Sequence, residues 1–172
     1  FGCDLISTAQ WTGARLSDVL ALAGGLQGDT VAIAAIGADE FSSSIPVEAA
    51  RDPGTLLVYS MNGSPLPREH GFPVRLLIPG RYGMKNAKWL VNLKAMTQQY
   101  LDWYGQRNWN PLAIVKTMSR IDVPAPGAKV KAGTQQIAGI AYCGTRGISR
   151  VEFSADGGTR WQIATLEAPL AR

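Results

Sequence analysis

The chain has 172 residues, 46% of them apolar and 17% charged, enough for one large or two small domains with packed cores. The net charge of +4 comes from one acid-free stretch, residues 70–101, which carries Arg75, Arg81, Lys85, Lys88 and Lys94 and leaves 12 basic against 13 acidic residues elsewhere. Basicity this local argues for a site and against a general nucleic-acid surface; no apolar run approaches a membrane span, and two cysteines, Cys3 and Cys143, make neither a disulfide framework nor a CxxC metal motif.

In chain order, Leu5-Ile6 reads as a strand or loop edge. Thr12 is expected to cap a helix, because Leu16, Val19, Leu20 and Ala23 fall at helical spacing and Gly24-Gly25 ends the pattern. Residues 30–36 (TVAIAAI) read as a buried strand, and residues 37–40 as a turn. Serines 43 and 44, Pro46 and Glu48 look like a helix start, ending before Asp52-Pro53-Gly54. Residues 56–59 are a further strand, 61–63 a turn and 65–67 extended. Residues 74–78 are apolar apart from Arg75 and predict a buried strand, stopped by Pro79-Gly80. Residues 89–96 alternate, placing Trp89, Val91, Leu93 and Ala95 on one face. Tyr100, Trp103, Tyr104 and Trp109 form an aromatic junction, expected to pack between domains. Beyond Pro111, Val130 and residues 137–142, 148–153 and 161–166 read as short strands. Residues 154–158 (SADGG) carry a hairpin signal, and the spacing points to a β-sandwich.

The stretch 70–89, HGFPVRLLIPGRYGMKNAKW, concentrates the chemistry. A glycine-bounded turn at the end of a strand aims backbone N–H groups at an anion, and nearby cations add charge. The physical reading is a phosphate or other polyanionic group bound there; the alternative is a solvated basic loop.

The segment 61–90, MNGSPLPREHGFPVRLLIPGRYGMKNAKWL, closely resembles the molybdopterin-binding domain of the sulfite oxidase family, with its MNG-x-PLP-x-x-HG-(Phe/Tyr)-P-x-R pattern followed by a Pro-Gly loop and a Lys-Trp pair. STAQWTGARLSDVL upstream resembles the family's WTG segment. KTMSRIDVPAPG and GIAYCGTRGISRVEFSADGGTRW resemble the start of its C-terminal dimerisation domain. The resemblance implies an α+β fold: a mixed α/β molybdopterin-binding domain over residues 1–106, lacking its N-terminal part. A truncated immunoglobulin-like β-sandwich over 107–172 follows it.

By motif, the resemblance implies that His70, Arg75, Asn86, Ala87 and Lys88 bind the pterin and phosphate of a molybdenum cofactor. Arginine offers phosphate a planar fork and lysine a mobile point charge. Asp39 falls in a loop that supplies a contact in some relatives; Arg81 and Tyr82 either face the substrate channel or are exposed loop residues. Arg146 and Arg150 either line that channel or sit on a surface strand. Cys3 occupies what looks like a glycine position, so it reads as a non-ligand and no metal ligand is assigned. Phe41 stands where sulfite oxidases have an active-site tyrosine; without a phenol to hydrogen-bond an oxyanion, sulfite is a doubtful substrate. The implied activity is two-electron oxygen-atom transfer on a small, anionic sulfur compound, with a redox partner such as a cytochrome and pairing of two copies through the dimerisation domain. The competing reading is a non-catalytic relative that keeps the fold and a dimerisation role without molybdenum.

Overall fold

The computed structural model describes residues 7–168. The chain divides into two compact units, one of them Ala9–Val115 and the other built mainly from Lys116 onward.

The first unit contains β1 (Trp11–Arg15), α1 (Leu16–Leu22), β2 (Ala32–Gly37), β3 (Ser42–Pro46), α2 (Val47–Arg51), β4 (Leu56–Met61), β5 (Ser64–Pro65), β6 (Arg75–Leu77) and β7 (Leu90–Met96). Its strands form two antiparallel sheets. In one, β4 pairs along its length with β1, and its other edge takes β5 at one end and β6 at the other. In the second, β2 lies between β3 and β7. The central strand β2 is almost wholly buried, as its run of alanine and isoleucine predicts. Leu16, Ile33, Ala35, Ile45, Ala49, Ala50, Leu76, Ile78 and Ala87 make one core, contributed by both sheets and both helices. Burying such side chains contributes roughly 1.5–3 kcal/mol for each of the larger ones.

Both helices begin later than their sequence signals imply. Thr12 caps no helix: Trp11–Arg15 is a strand on β4, and α1 starts at Leu16. Residues 42–46 are likewise a strand on β2, and α2 starts at Val47. Neither helix has a side-chain cap. Seven and five residues are too few to hold a helix by capping and propensity; packing of Leu16, Ala49 and Ala50 holds them instead. Gly24 and Gly25 do end α1, with φ of 97° and 77°, and the Gly25 N–H reaches the Leu20 carbonyl.

The alternation read along residues 89–96 is also displaced. Opposite Ile36 and Gly37 the register jumps from Asn92 to Leu90, so Val91 is an extra residue on β7. This bulge shifts the pattern by one. Leu90 and Leu93 pack on the core while Val91 is 65% exposed.

In the second unit, β8 (Met118–Val123) pairs antiparallel with β9 (Ala138–Tyr142), and β10 (Glu152–Phe153) with β11 (Gln162–Ile163). Residues 154–158 lie in the connection between β10 and β11, where the Ser154 hydroxyl and Asp156 carboxylate accept from the Gly158 and Arg160 N–H groups at 2.8 Å each. β8 lies outside the stretches expected to be strands, and Val130, expected in one, lies in none. No helix among the described residues is long and apolar enough to cross a membrane.

Candidate functional site

The site is built around a short 3-10 turn, Arg68–His70, and the two segments that return to it. Gly71 follows in a left-handed conformation, φ 107° and ψ 28°, which glycine adopts without steric cost. A Cβ there would stand 3.0 Å from the Cβ atoms of both Arg75 and Lys88. Gly71 is thus the point at which β6 and the segment leading into β7 come close, bringing the two cations to one place.

Three successive carbonyls of the turn each receive a side chain from these segments. Trp89 Nε1 donates to the Arg68 carbonyl at 2.8 Å, Lys88 Nζ to that of Glu69 at 2.9 Å, and Arg75 to that of His70 at 3.1 Å. Arg75 also donates to the Asn86 carbonyl at 3.4 Å, and its guanidinium lies 5.3 Å from the centre of the Trp11 ring. Burial holds the Arg75 pKa below the ordinary arginine value. Its Nε is buried and has no hydrogen-bond partner. A buried donor left unmatched is costly; an acceptor such as a phosphate or pterin oxygen satisfies it. Among the described residues, neither Arg75 nor Lys88 has an ion-pair partner.

The five residues expected to hold a cofactor therefore divide. Arg75 and Lys88 are brought together with their charge uncompensated, and His70 is exposed one residue before the Gly71 pivot. The Asn86 side chain is engaged in the fold: its Oδ1 accepts the Ile78 N–H at 2.6 Å and its amide donates to the Tyr82 carbonyl at 3.5 Å. Ala87 is buried in the core, and its carbonyl accepts the Leu76 N–H at 2.8 Å. Any contact from Asn86 or Ala87 to a ligand is thus a main-chain contact.

Lys85 does not belong to the cation cluster. It is buried and paired with the equally buried Asp102, which lies one residue beyond the acid-free stretch. Arg81 is also held: it donates to the Leu112 carbonyl and bridges to Ile114. Burial lowers its pKa and Glu48 partly offsets this. It borders a small cleft with Glu48, Asp52, Thr55 and Ile78. The exposed Asp39 is occupied in its own turn, accepting the Phe41 N–H at 3.2 Å. Phe41 packs on the core and meets Tyr104 edge-on, ring centres 6.1 Å apart. Tyr104 in turn contacts Trp103 and Trp109, so the aromatic junction packs on its own unit.

In the second unit Arg146 ends a 3-10 turn rather than lying on a strand, and donates to the Thr117 hydroxyl and the Cys143 sulfur at 2.8 Å each. Arg150 precedes β10 and pairs with Glu152 at 3.1 Å. Cys3 lies outside the described residues. Among the described residues no group of three His, Cys, Asp or Glu is placed to hold a metal ion. The sequence reading missed Trp11, Gly71 and Asp102. Trp11 has a sequence signal in its WTG segment and Gly71 in the His-Gly pair of the 61–90 segment, whereas Asp102 acts through contacts distant along the chain.

A phosphate-bearing pterin fits this arrangement, which offers two uncompensated cations, an exposed histidine and an orphaned guanidinium N–H. Comparison with known proteins agrees. The family described as "Oxidoreductase molybdopterin binding domain" matches residues 1–104, and "Mo-co oxidoreductase dimerisation domain" matches residues 112–172. The mitochondrial sulfite oxidase of Homo sapiens is 38% identical over 94% of this chain and 35% of its own length. The NADPH nitrate reductase of Fusarium oxysporum is 31% identical over 95% of this chain and 22% of its own. The crystal structure of the sulfane dehydrogenase SoxCD from Paracoccus pantotrophus superposes with a TM-score of 0.76 at 28% identity, covering 94% of this chain and 44% of that one. The chain spans about a third of the length of the mitochondrial sulfite oxidases it matches. It belongs to the oxidoreductase molybdopterin-binding family of the sulfite oxidase type, and its second unit matches that family's dimerisation domain.

Proposed function

We propose that this chain holds a molybdenum cofactor through His70, Arg75, Lys88 and the main chain of Asn86 and Ala87, as part of an enzyme that oxidises or reduces a small sulfur compound by oxygen-atom transfer. The observation that carries the reading is the convergence of Arg75 and Lys88 at Gly71, with Arg75 Nε buried and unpartnered. When bound, the cofactor supplies the two-electron oxygen-atom transfer. The chain's own residues bind and orient it. Arg75 is pre-aimed by the carbonyls of His70 and Asn86 and has its unpartnered Nε–H for the ligand. Lys88 supplies a point charge on the other side of the pivot, and His70 a further donor. Fixed donors of this kind need no rearrangement when charge arrives.

Phe41 directs the substrate reading. It offers no hydroxyl to an oxyanion, which favours an anionic sulfur compound other than sulfite. A two-electron oxidation needs an electron acceptor, for which a cytochrome is the proposed partner. The strand pairs of the second unit are proposed to belong to an immunoglobulin-like sandwich through which two copies associate. The test is molybdenum and pterin quantification on the full-length protein. Roughly equimolar metal and pterin in the wild type, reduced in Lys88→Met, is expected. A wild type without molybdenum would overturn the reading in favour of a non-catalytic relative.

A further inference from the structure

Lys85 and Asp102 form an ion pair beyond the reach of water, with side chains 1% and 2% exposed, and the cofactor contacts proposed above use neither. Withdrawing two charges from water commonly costs as much as their attraction returns, and an apolar pair of similar volume is often as stable or more so. Stability alone therefore does not account for the pair. Its geometry points elsewhere. Asp102 Oδ2 accepts from both Lys85 Nζ and the Ser44 N–H, the latter at 2.9 Å, while Oδ1 accepts the Gly105 N–H at 2.9 Å. The Ser43 hydroxyl donates to the Lys85 carbonyl at 3.0 Å. Lys85 is thus pinned at both ends, its ammonium by Asp102 and its carbonyl by β3.

The next residue, Asn86, fixes Ile78 with its side chain and Arg75 with its carbonyl; two further on is Lys88. We propose that the Lys85–Asp102 pair is a positioning device for the cofactor loop. It sets the main chain of residues 85–88 against β3, so that Arg75 and Lys88 meet the same anionic group. This rests on the cofactor reading given above. An apolar pair would fill the space but has no directional contact to fix the loop's register.

The experiment compares full-length wild type, Lys85→Met/Asp102→Leu and Lys85→Arg for molybdenum and pterin content and for the melt of the cofactor-free form. In the double variant the cofactor-free melt is expected to hold or rise while cofactor content falls at least tenfold. Lys85→Arg, which keeps a charge within reach of Asp102, is expected to retain most of the cofactor. Should the double variant fail to fold, Lys85→Met/Asp102→Asn, which removes both charges and leaves neither unpaired, decides: reduced cofactor content at an unchanged cofactor-free melt supports positioning. A double variant with wild-type cofactor content would overturn the inference, as would melt and content falling in parallel in every variant. A wild type devoid of cofactor removes the cofactor reading itself, an outcome separate from a loaded wild type whose variants are insensitive.

Discussion

Gly71→Ala probes the point on which the site turns. The residue sits at φ 107°, a region that costs a residue with a side chain about 1–3 kcal/mol. The added methyl would also meet Arg75 Cβ and Lys88 Cβ at 3.0 Å and Lys88 Cα at 3.2 Å. One of these contacts is backbone, so β6 and the segment leading into β7 must separate by a few tenths of an ångström. For a domain of about 150–250 residues each kcal/mol lowers the melting midpoint by roughly 2–4 °C, so a fall of about 2–12 °C is expected in the cofactor-free protein. Because the displaced segments carry both uncompensated cations, cofactor content should fall as well, beyond what the loss of stability explains. Differential scanning calorimetry paired with molybdenum quantification measures both. An unchanged melt would refute the close approach at Gly71; a lowered melt with full cofactor content would refute its role in bringing the cations together.

Asn86→Ala removes the acceptor for the buried Ile78 N–H and should cost about 1–3 kcal/mol in urea denaturation, with loss of hydrogen-exchange protection at Ile78; protection that persists would mean another acceptor takes over. Phe41→Tyr supplies the phenol that the resemblance to sulfite oxidases implies at this position, and a charge-assisted hydrogen bond of about 1.5–3 kcal/mol should raise kcat/KM for sulfite by roughly tenfold or more; no change with sulfite would detach Phe41 from substrate choice. The Asp156 carboxyl is held below its ordinary value, chiefly by the Arg160 N–H and then by the Ser154 hydroxyl. Since the folded pKa is the lower one, this turn's stabilisation is present above the ordinary carboxylate range and is lost as pH falls through the depressed value. The Arg160 amide shift should therefore titrate below the ordinary aspartate pKa, and in Asp156→Asn that titration should vanish; a midpoint at the ordinary value would contradict the contact.

Where the sequence was legible, the chemistry was local. The alanine-isoleucine run of β2, the Gly24-Gly25 stop, the apolar stretch around Leu76 and the turn at Pro79-Gly80 each depend on neighbours along the chain. Thr12 and the serines before Pro46 resembled helix caps because a cap signal is read from the residues that follow it, whereas Thr12 pairs with Ser60 on distant β4, and Ser43 and Ser44 pair back across a short turn with Ala35 and Ala34 of β2. Ser43 is instead fully buried in a strand, its hydroxyl on the Lys85 carbonyl. The bulge at Val91 is set by the register of β7 on β2, which no pattern within residues 89–96 encodes. In the site, Arg75 and Lys88 stood out through the missing carboxylates of their stretch. Lys85 looked equivalent to them, and only the fold brings Asp102 against it. Asn86 and Ala87 stood out by motif alone, which does not say that the fold commits their side chains to Ile78 and the core.

The most direct measurement is a set of thermal melts on full-length wild type and Arg75→Met, each with and without cofactor, alongside molybdenum quantification. In the empty protein Arg75 donates to two carbonyls but leaves Nε buried and unmatched, so its replacement should cost little. In the loaded protein the same change also removes a charge-assisted hydrogen bond to the ligand, about 1.5–3 kcal/mol, and the binding energy that stabilises the fold falls with it. The loaded melt should therefore drop well below that of loaded wild type, with reduced molybdenum, while the empty melts stay close. Equal destabilisation of both forms at unchanged molybdenum would make Arg75 a structural residue and contradict the cofactor site.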